Sequence, residues 1–466
     1  MNYKTRFLVL LPIMLILFAC RAFIPPLILT PTHTLTTKKF PVKPTSTFLP
    51  TYTSIPSPTF APTVVPPSLT PTQVLVTTPT PTLIPLTTQL SIFENLWTIV
   101  NDTYVYPDFN GLDWNAVRQE YRQKIAVGLT NEQFYLAMND VISQLGDDHS
   151  FFLDPQQVAE QEAEYQGKHD YVGIGVIVSA VPARRRAVIL SVFPDGPAEA
   201  AGLHTRDSII SVDGTSILDA NGSLQDIVRG PEGTTISVKV QTPGEQPRDL
   251  RLTRHRITGD YPVDYRVITT PEGKRIGYIL LVTFEDSTVD EKVAAALQEM
   301  TTQSPLDGLI LDNRMNNGGS STVLEPMLSY FAGGNLGNFI RHGEQRALQI
   351  KLNDINGSSH VPLTVLVGSG TASFGEIFAG ILQDIGRAYI IGTTTDGNVE
   401  ILWGYDLEDG SQLWLANETF RPLNHPDQDW EKSGIIPDLT VSGEFDQYTL
   451  ENDPAVLAAI GYLSER

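Results

Sequence analysis

The chain has 466 residues, 41% hydrophobic and 9% aromatic, which is enough apolar material for two or three folded domains. A formal charge of -21 argues against nucleic acid or anionic lipid as a partner, because such partners are bound through clustered Lys and Arg. The only cysteine, Cys20, rules out an internal disulfide, so a fold outside the cytoplasm must rely on packing.

Residues 1–20 read as an export signal: Lys4 and Arg6, the apolar run Phe7 to Phe18, then Ala19-Cys20. The run is too short to span a bilayer as a permanent helix. Leu17-Phe18-Ala19-Cys20 resembles a bacterial lipobox, although Phe18 stands where a smaller residue is usual. The resemblance implies that Cys20 is lipidated and anchors the mature chain to the cell membrane; an ordinary signal peptide ending in Cys is the alternative. Segment 21–88 is rich in Pro and Thr, as in Thr78-Pro79-Thr80-Pro81-Thr82, and is expected not to fold. As polyproline II it would reach about 200 Å, at about 3.1 Å per residue, and act as a tether.

Helical periodicity at Leu90 to Val100 and Trp114 to Leu145, broken by Asn110-Gly111 and Gly128, predicts a small helical domain over 89–168. From 169 to 258 the pattern changes to short β runs: Val172 to Val178, Ala187 to Val192, Asp207 to Val212, Thr234 to Gln241 and Asp249 to Leu252. Two short helices interrupt them, Pro197 to Gly202 with proline first and glycine last, and Ser223 to Val228.

That order, with Gly173-Ile174-Gly175-Val176, Gly196-Pro197-Ala198-Glu199-Ala200-Ala201-Gly202 and Arg229-Gly230-Pro231-Glu232-Gly233, resembles the permuted PDZ domain of carboxyl-terminal processing proteases. PDZ domains bind a peptide end as an added strand, with backbone amides on the terminal carboxylate. The resemblance places the carboxylate near Gly173, Ile174, Gly175 and Val176, with a groove wall from the 223–229 helix. On the residues alone, those glycines could serve turns only.

Over 259–466, strands Ile276 to Phe284, Gly308 to Leu311 and Leu363 to Val367 alternate with helices Thr288 to Met300 and Thr322 to Phe331. This alternation predicts a layered α/β core. Val365 to Ser373 runs from a strand through a Gly/Ser turn into a helix carrying Phe374, Ile377, Phe378, Ile381 and Leu382. Ser373 at such a turn can expose a hydroxyl near helix-start amides. It could equally be a helix cap, the commoner role of serine there.

Three blocks decide between these readings by resemblance: Ser373-Phe374-Gly375-Glu376-Ile377 with Gln383-Asp384-Ile385-Gly386-Arg387-Ala388, Asp312-Asn313-Arg314-Met315-Asn316-Asn317-Gly318-Gly319, and Gly434-Ile435-Ile436-Pro437-Asp438. Together they resemble the carboxyl-terminal processing (tail-specific) serine protease family. The implied fold is multidomain α/β: a crotonase/Clp-protease-like catalytic core, an inserted PDZ domain, an N-terminal helical domain and a disordered linker. The resemblance implies Ser373 as nucleophile, Gly318 and the Phe374 amide as oxyanion donors, no metal or organic cofactor, and protein or peptide substrates with free carboxyl ends.

One position departs. The family's basic lysine falls twenty-five residues after the serine, where this chain has Asn398, and its later glutamine is Leu402. Asparagine has no titratable proton and cannot be a general base. His149, in Gly146-Asp147-Asp148-His149-Ser150, resembles the histidine of the tricorn-type branch, where it is the base; Glu431 matches that branch's glutamate, and Asp148 replaces a serine. Histidine titrates near neutral pH and suits the task. Alternatives are a structural His149, Lys432 as base, or a scaffold that binds peptide ends without cutting. His169, His204, His342 and His425 show no metal-ligand spacing.

Overall fold

A computed structural model describes residues 83–147, 149–165, 169–259 and 261–466. The export signal, Cys20, Asp148 and almost all of the tether lie outside the described residues. Among the described residues no helix is long and apolar enough to cross a membrane.

Helices Leu86–Thr103, Trp114–Ala126 and Asn131–Ser143 bury one face each around Phe93, Leu96, Trp114 and Phe134. The first begins before the expected boundary at 89. Thr130 opens the third helix with a reciprocal capping box to Gln133, satisfying two amides that the helix leaves unpaired. This helical core is not self-contained: Leu407, Leu413, Leu415 and Ala416, from much later in the chain, pack into it. Strand Phe151–Leu153 completes the junction by pairing antiparallel with strand Gln412–Pro422. His149 and Ser150, just before the strand, are thereby held against the layered α/β core.

The β-rich insert is a sheet in the order Val176–Val181, Arg186–Val192, Ser208–Val212, Thr235–Gln241, Arg248–Thr253. Val176–Val181 is an edge strand, so one side of its backbone is open. The helix Pro197–Ala200 forms where expected. The second helix, expected at Ser223 to Val228, does not: this stretch is irregular. Its carbonyls are used elsewhere, those of Ile227 and Val228 accepting from the Arg254 guanidinium at 2.9 Å each. The Gln225 amide donates to Ile217 instead of closing a helical turn. The wall expected from a helix is therefore an irregular segment ending in Arg229, whose guanidinium lies 4.7 Å from the Tyr171 ring centroid.

The layered α/β core contains a six-stranded sheet in the order Tyr265–Thr269, Arg275–Leu280, Gly308–Asp312, Leu363–Val367, Tyr389–Gly392, Leu439–Thr440, parallel after its first strand. Gly308–Asp312 and Leu363–Val367 are buried at every position, as central parallel strands covered on both faces must be. A second, antiparallel sheet joins Gln412–Pro422 to Gly334–Arg341, Glu344–Ile350 and Ile401–Asp406. The sequence periodicity does not reveal it. Glu344–Ile350 is mostly exposed and carries mixed polar residues, so the usual alternation is faint.

Candidate active site

The loops that follow strands Gly308–Asp312 and Leu363–Val367 emerge side by side at the carboxyl end of the sheet, the usual place for a crevice in an open α/β sheet. Buried polar bonds lace them together. The Thr371 hydroxyl donates to the Asn313 carbonyl at 2.8 Å, the Ala372 amide donates to the Asn316 carbonyl at 3.0 Å, and the Asn313 amide group donates to the Gly375 carbonyl at 2.8 Å. Below them Arg314 forks onto Asp312 and Asp453, both fully buried. Arg206, from the β-rich insert, binds the same two carboxylates at 3.3 and 2.6 Å.

Ser373 stands at the N-cap position of helix Phe374–Asp384 with φ 52° and ψ -128°, a left-handed backbone that non-glycine residues adopt at a cost of about 1–3 kcal/mol. Its side chain makes no capping bond. The strain therefore does not serve a cap, and the hydroxyl is left available. Against it lies Gly318 at φ 95°; a Cβ there would come within 2.5 Å of the Ser373 Cβ and 3.0 Å of the Phe374 nitrogen. The Phe374 amide donates to no protein acceptor among the described residues. The Gly318 amide is different: it donates to Asn316 Oδ1 at 3.0 Å. Of the expected oxyanion pair, one member is free and the other is engaged.

The Glu376 carboxylate, one turn into the same helix, accepts from the Thr395 hydroxyl and from the amides of Gly397 and Asn398, at 2.9 and 2.7 Å for the amides. It fixes the loop that brings the Asn398 carbonyl onto the Ser373 amide at 2.6 Å. The next two amides, Val399 and Glu400, donate to Glu431 Oε2 at 2.7 and 3.2 Å. Glu431 Oε1 lies 2.8 Å from His149 Nε2. Three consecutive backbone units thus connect the serine turn to the His149–Glu431 pair. The structure brings His149 and Glu431 together; among the described residues no hydrogen bond joins His149 to Ser373.

Asp147 presents His149 by accepting the amides of His149 and Ser150 at 3.0 and 2.6 Å, and the Tyr104 hydroxyl at 2.6 Å. Burial opposes a charged imidazole, but the hydrogen bond and charge of Glu431, with Glu400, raise the His149 pKa above 6.5. Glu400 is a residue that sequence reasoning missed. It accepts the Tyr106 hydroxyl on Oε1 and sets Oε2 at 3.8 Å from His149 Nε2. Burial, with Glu431 adding repulsion, pushes its carboxyl up to about 7. Lys432 turns away: its ammonium donates to Asp429 at 2.9 Å on a side chain 83% exposed.

In the β-rich insert, Gly173 leaves room for the Tyr171 ring, 2.8 Å from where a Cβ would stand, and the Ile174 carbonyl accepts from Ala198 at 2.8 Å. Gly175 has φ 79°, and Val176 begins the edge strand.

Comparison with known proteins supplies the lineage. Residues 275–441 match the model of peptidase family S41, 87–143 that of the tricorn protease C1 domain and 188–242 that of a PDZ domain. The carboxyl-terminal-processing protease of Synechocystis sp. is 30% identical over 393 residues, covering 81% of this chain and 86% of its own. The chain belongs to peptidase family S41, the carboxyl-terminal-processing proteases. Another relative in the family, the chloroplastic C-terminal processing peptidase of Tetradesmus obliquus, is 31% identical over 80% of the chain and 82% of the relative. The solved photosystem II D1 C-terminal processing protease matches with a TM-score of 0.52 and 28% identity, over 76% of this chain and 92% of that one. This S41 member is accordingly a serine-type peptidase with an inserted PDZ domain, acting on protein or peptide substrates.

Proposed function

We propose that this peptidase is an endopeptidase that gathers proteins by their carboxyl ends and cuts them with Ser373, using His149 in place of the family lysine. The observation that carries the reading is the strained backbone at Ser373, whose hydroxyl caps nothing and lies beside the unspent Phe374 amide. Attack on a peptide carbonyl develops negative charge next to that amide. The Gly318 amide joins once the oxyanion displaces Asn316 Oδ1. His149 takes the hydroxyl proton, Glu431 stabilises the resulting imidazolium, and the proton passes to the leaving amine. Water then hydrolyses the acyl-enzyme.

Substrate ends are proposed to add as a strand along Val176–Val181, with the terminal carboxylate on the amides of Gly173, Ile174, Gly175 and Val176. Lipidated Cys20 and the Pro/Thr segment would hold the enzyme outside the cytoplasm on the cell membrane. An active-site fluorophosphonate probe on the full chain tests the chemistry. Labelling of the native protein, lost in both Ser373→Ala and His149→Ala, is the expected result. No labelling of the native protein would favour a scaffold that captures peptide ends without cutting.

A further inference from the structure

Three side chains from distant parts of the chain converge at the base. His149 Nε2 lies 2.8 Å from Glu431 Oε1 and 3.8 Å from Glu400 Oε2, and all three atoms fall within 4.8 Å of one another. Each carboxylate is gripped from behind through its other oxygen. Two backbone amides hold Glu431 Oε2, and the Tyr106 hydroxyl holds Glu400 Oε1. The inward oxygens are therefore aimed, not merely close.

The donor count is short at this point. An imidazole Nε2 offers one proton at most, and the nearer Glu431 oxygen takes it. Glu400 Oε2, on a side chain only 2% exposed, has no hydrogen-bond partner and faces the same nitrogen. In its ionised form that oxygen is buried without a donor, which is costly, and a cation between the three atoms would remove the cost.

We infer that His149, Glu400 and Glu431 form a binding site for a divalent transition-metal ion of the zinc type, whose occupancy switches the peptidase off. One imidazole nitrogen with two carboxylate oxygens suits zinc and its first-row neighbours, whereas calcium and magnesium prefer oxygen alone. Tetrahedral zinc with bonds of about 2.0–2.2 Å separates its ligand atoms by about 3.3–3.5 Å. The observed 2.8 and 3.8 Å bracket that spacing and the two carboxylate oxygens lie no more than 4.8 Å apart, so movements of roughly half an ångström to just over one ångström close the site. The amides and the Tyr106 hydroxyl behind the carboxylates are the supports that metal ligands commonly require.

The switch follows from the imidazole, and rests on His149 being the base. A neutral histidine bound to metal through Nε2 carries its proton on Nδ1. Neither nitrogen then has a lone pair for the Ser373 proton.

The test uses the full chain stripped with a chelator and titrated calorimetrically with zinc chloride. One ion per chain is expected, with affinity reduced at least about tenfold in Glu400→Gln and no comparable binding of calcium. Cobalt(II) in the native chain gives an independent reading through the intense visible absorption of a four-coordinate site. Absence of zinc binding, or equal binding by Glu400→Gln and native protein, overturns the site. Zinc should also slow fluorophosphonate labelling, and chelator should restore it. Bound zinc that leaves labelling unchanged overturns the switch. Failure of the metal-free native chain to label would instead sink the Ser373–His149 chemistry and the switch with it, while calorimetry still judges the metal site.

Discussion

The backbone carbonyl of Asn398 accepts the amide of Ser373 at 2.6 Å, so the position from which relatives are expected to offer a lysine is locked beside Ser373 by its main chain. The register of that loop does not depend on the side chain. Glu376 holds it through the Gly397 and Asn398 amides.

Asn398→Lys should therefore place an amine near Ser373 without remodelling the loop. In a His149→Ala background it is expected to recover fluorophosphonate labelling by about 10²-fold, the lower range for a positioned base. The recovered rate should climb toward alkaline pH, because an ammonium must first lose its proton. An unchanged His149→Ala defect would count against this geometry.

The pH dependence of the native enzyme follows from Glu431. As the proposed base His149 would be competent only when neutral, and its pKa is raised above 6.5, so labelling of chelator-treated protein should rise with pH through a limb above that value. Glu431→Gln should move the limb to lower pH. The linkage has the corresponding sign: the pair's contribution to stability is full below the ordinary histidine value and fades as pH rises through the raised one. Thermal melts across that window would show the loss, and Glu431→Gln should abolish it.

Arg206 ties the PDZ insert to Asp312 and Asp453 in a buried network. Arg206→Ala leaves Arg314 as the one cation on two buried carboxylates and should cost about 3–5 kcal/mol, read by denaturant unfolding. Burial by itself would raise the Asp312 pKa, but Arg314 and Arg206 hold it below the usual carboxylate value. Its contribution is thus present above the unfolded pKa of about 3.9 and is lost as pH falls through the depressed folded value. Removing Arg206 should shift acid unfolding to higher pH.

Gly318→Ala tests the packing of the oxyanion loop. Its Cβ would stand 2.5 Å from that of Ser373, and φ 95° is a backbone that alanine rarely adopts. The expected result is a folded protein whose labelling falls by about 10²-fold or more, since the loop must retreat from Ser373. Labelling at the native rate would show that the loop can yield without consequence.

Much of this was legible in the chain. Buried parallel strands such as Leu363–Val367 read as apolar runs, and the helix after Ser373 keeps a 3.6 spacing, so the strand-turn-helix that carries Ser373 follows from local pattern. The Ser223 to Val228 helix failed because Arg254, distant in sequence, claims carbonyls that a helix would use. The antiparallel sheet around Gln412–Pro422 was hidden because its exposed partner Glu344–Ile350 has little alternation.

Residue identity alone determined that no lysine stands at 398 and that Ser373 occupies a strand-to-helix turn, because both are questions of one-dimensional order. Only the tertiary structure decided which carboxylates face His149 and that the serine hydroxyl caps nothing. Glu400 and Glu431 reach the imidazole from more than two hundred residues away, through pairing of strands with no local signature. The left-handed backbone at Ser373 is imposed by the loops laced around it, a constraint that no single segment of sequence contains.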